Sequence, residues 1–234
     1  MGRKFGRNLD MNALHQLIPL AVGMLISPLP IVAVVAILLA PRGRSSAPAF
    51  VSVFTLVSLA FVIVGAVSSA GASAASSGGS KIVVLVLTIL LTVGFLVLAI
   101  ASWLTRPKAG ATPKTPGWLA AVDTITPARA AGLGLIMAIT NTKNIPLALK
   151  GGSLIGAAHL NPVLVIILCI ALALAGSLAL IVPTALGALD STAITSGLRR
   201  LKSEMIAHNA VIMTVLFAML AASEASHLIH QLSA

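Results

Sequence analysis

A chain of 234 residues that is 58% apolar and 9% charged is not an ordinary soluble globule, which carries about 25% charged residues. The same composition excludes a disordered tail and a coiled coil. Fifteen Lys and Arg against five Asp and Glu give a net charge of +10, but the charges sit in short clusters between long uncharged runs and aromatics are only 3%, so this is no nucleic-acid surface.

A membrane-spanning helix needs about 20 mostly apolar residues. No charge occurs between Asp10 and Arg42, from Ser45 to Ser80, from Ile82 to Thr105, from Gly151 to Leu189 or from Met205 to Ser223. The chain therefore reads as six helices at about 13–40, 49–70, 81–104, 128–150, 161–186 and 207–228, in one transmembrane domain over 1–234. Strand-like alternation is absent, so an all-α membrane protein is expected. Arg3, Lys4 and Arg7 precede the first span like a signal peptide, but its apolar run is too long and lacks a small-x-small cleavage site. It is read as a retained helix.

The first span contains Met24-Leu-Ile-Ser-Pro-Leu-Pro-Ile31. Pro28 and Pro30 lack the amide hydrogen a helix uses, and each disfavours helical geometry at the residue before it. Ser27 followed by Pro28 also reads as an N-cap with Pro at the first helical position. The helix is expected to end near Ile26 and restart at Pro28, with the amides around Ser27–Leu29 at a positive dipole end. Loop 71–80 is small and uncharged, as an external turn is. Trp103 and Trp118 bracket the third loop, at about 105–127, and suit an interfacial belt.

The fourth span contains Ile139-Thr-Asn-Thr-Lys-Asn-Ile-Pro146, and only the stretch 130–142 is uncharged before Lys143. Asn141, Thr142 and Asn144 suit an unwound backbone, and Pro146 is expected to start the next half. A Lys at membrane depth points to function. The competing readings are that it snorkels to an interface or caps the carbonyl end of the first half-helix. Ser27–Ile31 aligns with Asn141–Ile145 at an offset of 114. Discontinuous helices in corresponding places predict two inverted three-helix repeats, about 13–104 and 128–228, with broken helices one and four. Ser27, Pro28, Leu29, Pro30, Asn141, Lys143 and Asn144 are then the expected substrate-binding residues, facing one cavity suited to an anionic group. On that reading Lys143→Ala abolishes transport and leaves folding intact.

The fifth span holds Cys169, read as a buried inert thiol, and follows Gly152-Ser-Leu-Ile-Gly156. That small-residue spacing is read as packing inside the bundle in preference to a homodimer seam. Residues 191–205 are read as an amphipathic stretch on the membrane surface. His208 and Asn209 at the start of the sixth span either line the cavity or face water. Asp123 and Arg129 near the fourth span are assigned to orientation or coupling. Glu224, His227 and His230 share a helix face, which suits a solvated helix end better than a metal site. Loops one, three and five carry nine basic residues and the other side five, placing both termini outside a cytoplasmic membrane. No phosphate-binding loop or catalytic signature is present, so no enzyme and no cofactor are expected.

The Ser-Pro-x-Pro of helix one and the Asn-x-Lys-Asn of helix four resemble the LysE-type exporter superfamily. More narrowly, the chain resembles its actinobacterial branch of glycopeptidolipid- and sulfolipid-addressing proteins (the GAP, or Sap, family). Asp123-x-x-x-Pro127-x-Arg129-x-x-Gly132-x-Gly134 and His208-Asn209 match as well. The family pattern Asn-Pro-Lys-Asn stands here as Asn141-Thr142-Lys143-Asn144, with the proline displaced to Pro146. The resemblance implies export of a small solute such as an amino acid, or of a cell-envelope glycolipid. The other reading is an accessory membrane protein that assists a separate lipid export machinery. Membrane lipids are expected partners under both.

Overall fold

The structure is a computed structural model that describes residues 16–74, 79–106, 119, 122, 124–158, 160–189 and 191–232. Among them are eight α-helices and no strand: α1 (Leu17–Leu25), α2 (Pro28–Leu39), α3 (Gly43–Ala74), α4 (Gly79–Leu104), α5 (Pro127–Ile139), α6 (Asn144–Ala157), α7 (Pro162–Leu186) and α8 (Thr192–Leu232).

Three of these, α3 over Gly43–Ser69, α7 over Pro162–Leu186 and α8 over Thr192–Ser226, are long and apolar enough to cross a membrane. The pair α1–α2, bent by 50° at its junction, makes a fourth if counted as one crossing. Six spans are expected with the first and fourth broken; among the described residues both breaks are present, and three helices, or four with the bent pair, are long enough to cross. The expected fourth span is divided into α5 and α6, of 13 and 14 residues, each only about 20 Å long at 1.5 Å per residue. The described apolar part of α4, Thr88–Leu104, is shorter than a crossing helix.

Helix α8 also differs from expectation. Residues 191–205 do not form a separate surface segment, because α8 runs unbroken for 41 residues. No proline occurs in it, and its polar residues from Arg199 to Glu204 are good helix formers, so nothing ends the hydrogen-bond ladder.

Helix α3 packs along α5, α6 and α7; α7 in turn packs on α1 and α2; and α4 lies along α8. The tightest seam is α3 on α6. A Cβ at Gly152 would run into the Val62 carbonyl, one at Gly156 into that of Ala66, and one at Gly65 into that of Leu149. The Gly152–Gly156 pair is thus used inside the chain, where close backbone approach replaces the hydrophobic drive that lipid does not supply. Ser69 adds a hydrogen bond from its Oγ to the Ser153 carbonyl at 2.9 Å.

Two apolar clusters fill the interior. One gathers Ile31–Ile37 of α2, Phe50 and Phe54 of α3, Ala138 of α5 and Leu180 of α7. The other gathers Met24 of α1, Val62 of α3, Leu147 of α6, Leu172 of α7 and Phe217 of α8. Between the two, each of the first four of these chain segments carries a buried polar side chain. They are Ser27 after α1, Ser58 in α3, Lys143 and Asn144 at the start of α6, and Ser177 in α7. These five form a polar level between the two clusters; the other buried polar side chains among the described residues, Ser46, Thr88 and Glu224, belong to neither interruption.

Candidate functional site

The two helix interruptions meet at that level. Helix α1 ends at Leu25 and α2 starts at Pro28, leaving Ile26 and Ser27 outside helical geometry, at the place the two prolines dictate. Helix α5 ends at Ile139 and α6 begins at Asn144, with Pro146 in its first turn rather than at its start. Asn141 supplies the cap there: its Oδ1 accepts from the Asn144 amide at 3.2 Å. Ser27 stands at the N-cap position of α2 but does not cap it. Its Oγ turns back to the Met24 carbonyl at 3.1 Å and to Asn144 Oδ1 at 3.3 Å, one proton shared between two acceptors.

Lys143 crosses from the second interruption to the first. Its Nζ donates to the Gly23 carbonyl at 2.5 Å and to Asn144 Oδ1 at 2.7 Å. Asn144 Nδ2 donates to the Met24 carbonyl at 3.3 Å. The last carbonyls of α1 need partners from outside their helix. Gly23 and Met24 find them here, in side chains more than 115 residues away. A cation at a helix C-terminus also meets the favourable end of the dipole. Lys143 does not snorkel to an interface, and the carbonyl end it caps is that of α1 in the first span, not that of α5, the first half of its own span.

The expected open, positively polarised cavity is not what joins Ser27 to Lys143. Lys143 is 2% exposed, Ser27 4% and Asn144 5%, and they form a closed hydrogen-bonded knot. The start of α2 is also a poor donor. Pro28 and Pro30 have no amide hydrogen, Ile31 gives its own to the Ser27 carbonyl, and only Leu29 remains among the first four positions. Pro28 and Pro30 are buried, while the Leu29 side chain is exposed. Lys143→Ala strips the Gly23 carbonyl of its donor inside the protein, so a cost in stability is expected beside any effect on transport.

The remaining predicted residues lie apart. Asp123 falls outside the described residues. Arg129 is exposed, and its backbone amide is accepted by Thr126 Oγ1 at the start of α5. His208 is exposed beside Glu204, with Nδ1 3.2 Å from Oε2, while Asn209 is half-buried with its Oδ1 unpartnered. Cys169 is a buried free thiol. Trp103 is stacked under Arg106, 3.6 Å from ring centroid to guanidinium carbon; Trp118 falls outside the described residues.

Glu224, expected at a solvated helix end, is instead buried, with Oε1 2.5 Å from Lys150 Nζ. The side chains of His227 and His230 lie outside the described set, and among the described residues no cluster of three or more metal-ligating side chains occurs. A signal for the ion pair existed: Lys150 and Glu224 each border a long uncharged run and lie at the same end of the bundle.

No curated protein and no solved structure matches the chain. A family model described as Sap, sulfolipid-1-addressing protein, matches residues 17–229. That match covers both interruptions and all eight helices nearly to their ends, so this all-helical, membrane-embedded chain belongs to the Sap family.

Proposed function

We propose that the chain is an exporter of the LysE type in the cytoplasmic membrane. It moves a cell-envelope glycolipid component or a small solute with an anionic group by alternating access. The family description refers to sulfolipid-1, and under this reading an amphiphile with an anionic head group is the substrate class. The observation that carries the reading is the knot itself: interruptions 114 residues apart in sequence meet at one buried polar level.

Two further features support it. Helix α3 of the first half packs on the broken pair α5–α6 of the second, and α7 of the second packs on the broken pair α1–α2 of the first. This reciprocal exchange is what two inverted three-helix repeats require. An apolar scaffold also gains nothing from a buried ammonium, which is costly at membrane depth. In the state described, the Gly23 carbonyl occupies the position on Lys143 that an anion takes when the halves tilt apart. The chain is no enzyme in this reading and holds no cofactor; an ion gradient or a partner supplies energy, and both termini face outward.

One observation favours the accessory reading: two of the three ammonium protons of Lys143 already have acceptors within the chain. A two-part experiment separates the readings. The purified chain is placed in liposomes with a fluorescent sulfated glycolipid, and the lipids of a deletion strain are compared by leaflet and by extracellular fraction. The transport reading predicts transbilayer movement about tenfold or more above empty liposomes, equivalent to about 1.4 kcal/mol of barrier, and loss of the lipid from the surface of the deletion strain. Surface loss without movement in liposomes assigns the accessory role. Neither effect contradicts both.

A further inference from the structure

Helix α8 is held loosely on one side. Among the described residues it packs closely on α4 and α2, whereas a cleft of about 210 Å³ separates it from α1 and α6. Side-chain tips bridge that cleft: a Cβ at Gly23 of α1 would stand 3.4 Å from Leu220 Cδ2 of α8. The α3–α6 seam is different, because backbone meets backbone there. Val22 on α1 and Met219 on α8 border the cleft and are 45% and 65% exposed, so in a membrane-embedded bundle its mouth faces lipid. Along α1 the cleft runs from Gln16 to Ile26 and so reaches the first interruption. It touches Gly23, whose carbonyl holds Lys143. A polar tie crosses from α6 to α8 beside it, the ion pair of Lys150 and Glu224. Lys150 follows Lys143 by seven residues, two turns and about 10 Å along the same face of α6. A buried ion pair adds little net stability over apolar packing, yet losing one partner is costly. Such a tie suits a latch better than a core contact.

We propose that the α1–α8 seam is a lateral gate, latched by Lys150 and Glu224, through which an amphiphile in the bilayer reaches the knot. Opening moves α8, with α4 packed on it, away from α1 and α6, and is a step separate from the tilt of the two halves. The head group passes Lys150 on its way to Lys143 while the acyl chains stay in lipid beyond Val22 and Met219. The inference rests on the exporter reading above and adds to it the side from which the substrate enters.

The test is distance measurement between paired spin labels by electron paramagnetic resonance, on the full chain with Cys169→Ala in phosphatidylcholine nanodiscs. One label pair, Ile18→Cys with Met219→Cys, spans the gate, and a second, Ile100→Cys with Val211→Cys, joins α4 to α8; all four positions are exposed. Glu224→Gln keeps a neutral hydrogen bond and loses its charge. It is expected to raise a longer-distance population across the gate about tenfold, the ratio that about 1.4 kcal/mol and one charge-assisted hydrogen bond set, with the α4–α8 pair unchanged. Lys150→Gln breaks the latch from the other side and is expected to do the same, so the test stands if one of the two variants folds poorly. A gate distance unchanged in both, or equal lengthening within the α4–α8 pair, overturns the proposal. With the latch intact, an added sulfated glycolipid is expected to raise the same population by binding the open state, and inorganic sulfate is not. A response to inorganic sulfate equal to that of the glycolipid overturns lateral entry. Opening on Glu224→Gln with no response to the glycolipid upholds the gate and counts against the substrate class of the exporter reading instead.

Discussion

Lys143 illustrates how a residue that looks like a ligand for substrate is first of all a structural partner. Its ammonium serves a main-chain carbonyl of α1 and the side chain of Asn144, which in turn holds Ser27 and the Met24 carbonyl. Replacing Lys143 by Met leaves the Gly23 carbonyl buried and unpartnered, at a cost of about 1–3 kcal/mol. Asn144→Leu removes donors and acceptors from the same knot. Melting of the detergent-solubilised variants is expected to show each single change lowering the midpoint. The double change should cost less than the sum, because the two share partners and couple by about 0.5–3 kcal/mol. Strict additivity would mean the knot is not one unit. The presence of Ser27, Lys143 and Asn144 at the site was legible in the sequence, since a Pro pair and a lone intramembrane Lys are strong signals. What Lys143 binds was not, because the acceptor is a backbone carbonyl and carries no residue identity. Glu224 was misread for a related reason: its partner is 74 residues away, and a charge near a chain end resembles a solvated tip.

At the level of elements, interruptions were easier to read than continuity. Proline and unwound polar residues fixed the facing ends of α1 and α2 and of α5 and α6 to within a few residues, whereas α6 runs on to Ala157, past the end expected at 150. The length of α8 was missed because its charged stretch resembles a surface segment, and the absence of a breaker is a quieter signal than the presence of one. The small-residue seam was legible as packing, though the helix that fills it was not. That seam makes a sharp prediction. A side chain at Gly152 would drive into the Val62 carbonyl, which is backbone and cannot swing aside. Gly152→Leu is expected to destabilise by about 1–3 kcal/mol or more, read as a lower melting midpoint and reduced yield of monodisperse protein. Gly132→Leu, at a glycine with open space around it, should change little by comparison. Equal effects at the two positions would remove α3–α6 contact as the main seam.

Across the whole molecule, the arrangement is two apolar clusters separated by one polar level, with the broken helices tied together there. The turn bearing Arg42 and Arg44, the start of α5 with Arg129 and the stretch with Arg199 and Arg200 adjoin the first cluster, while Lys150 and its ion pair adjoin the second. Among the described residues, basic side chains therefore gather toward the end of the bundle that holds the first cluster, and such an asymmetry is the quantity that orients a membrane protein. The exporter reading proposed above takes this knot as a two-state element: closed, it pairs the Gly23 and Met24 carbonyls; opened, it would expose a cation and those two carbonyls to whatever enters. Cysteine cross-linking tests that idea most directly. In a Cys169→Ala background, Ser27→Cys and Asn144→Cys are introduced together, oxidised mildly in native membranes and assayed for delivery of lipid to the surface. The account predicts efficient disulfide formation within one chain and loss of delivery on oxidation, restored by reduction. Absence of the cross-link, or unchanged delivery with the cross-link complete, would contradict it.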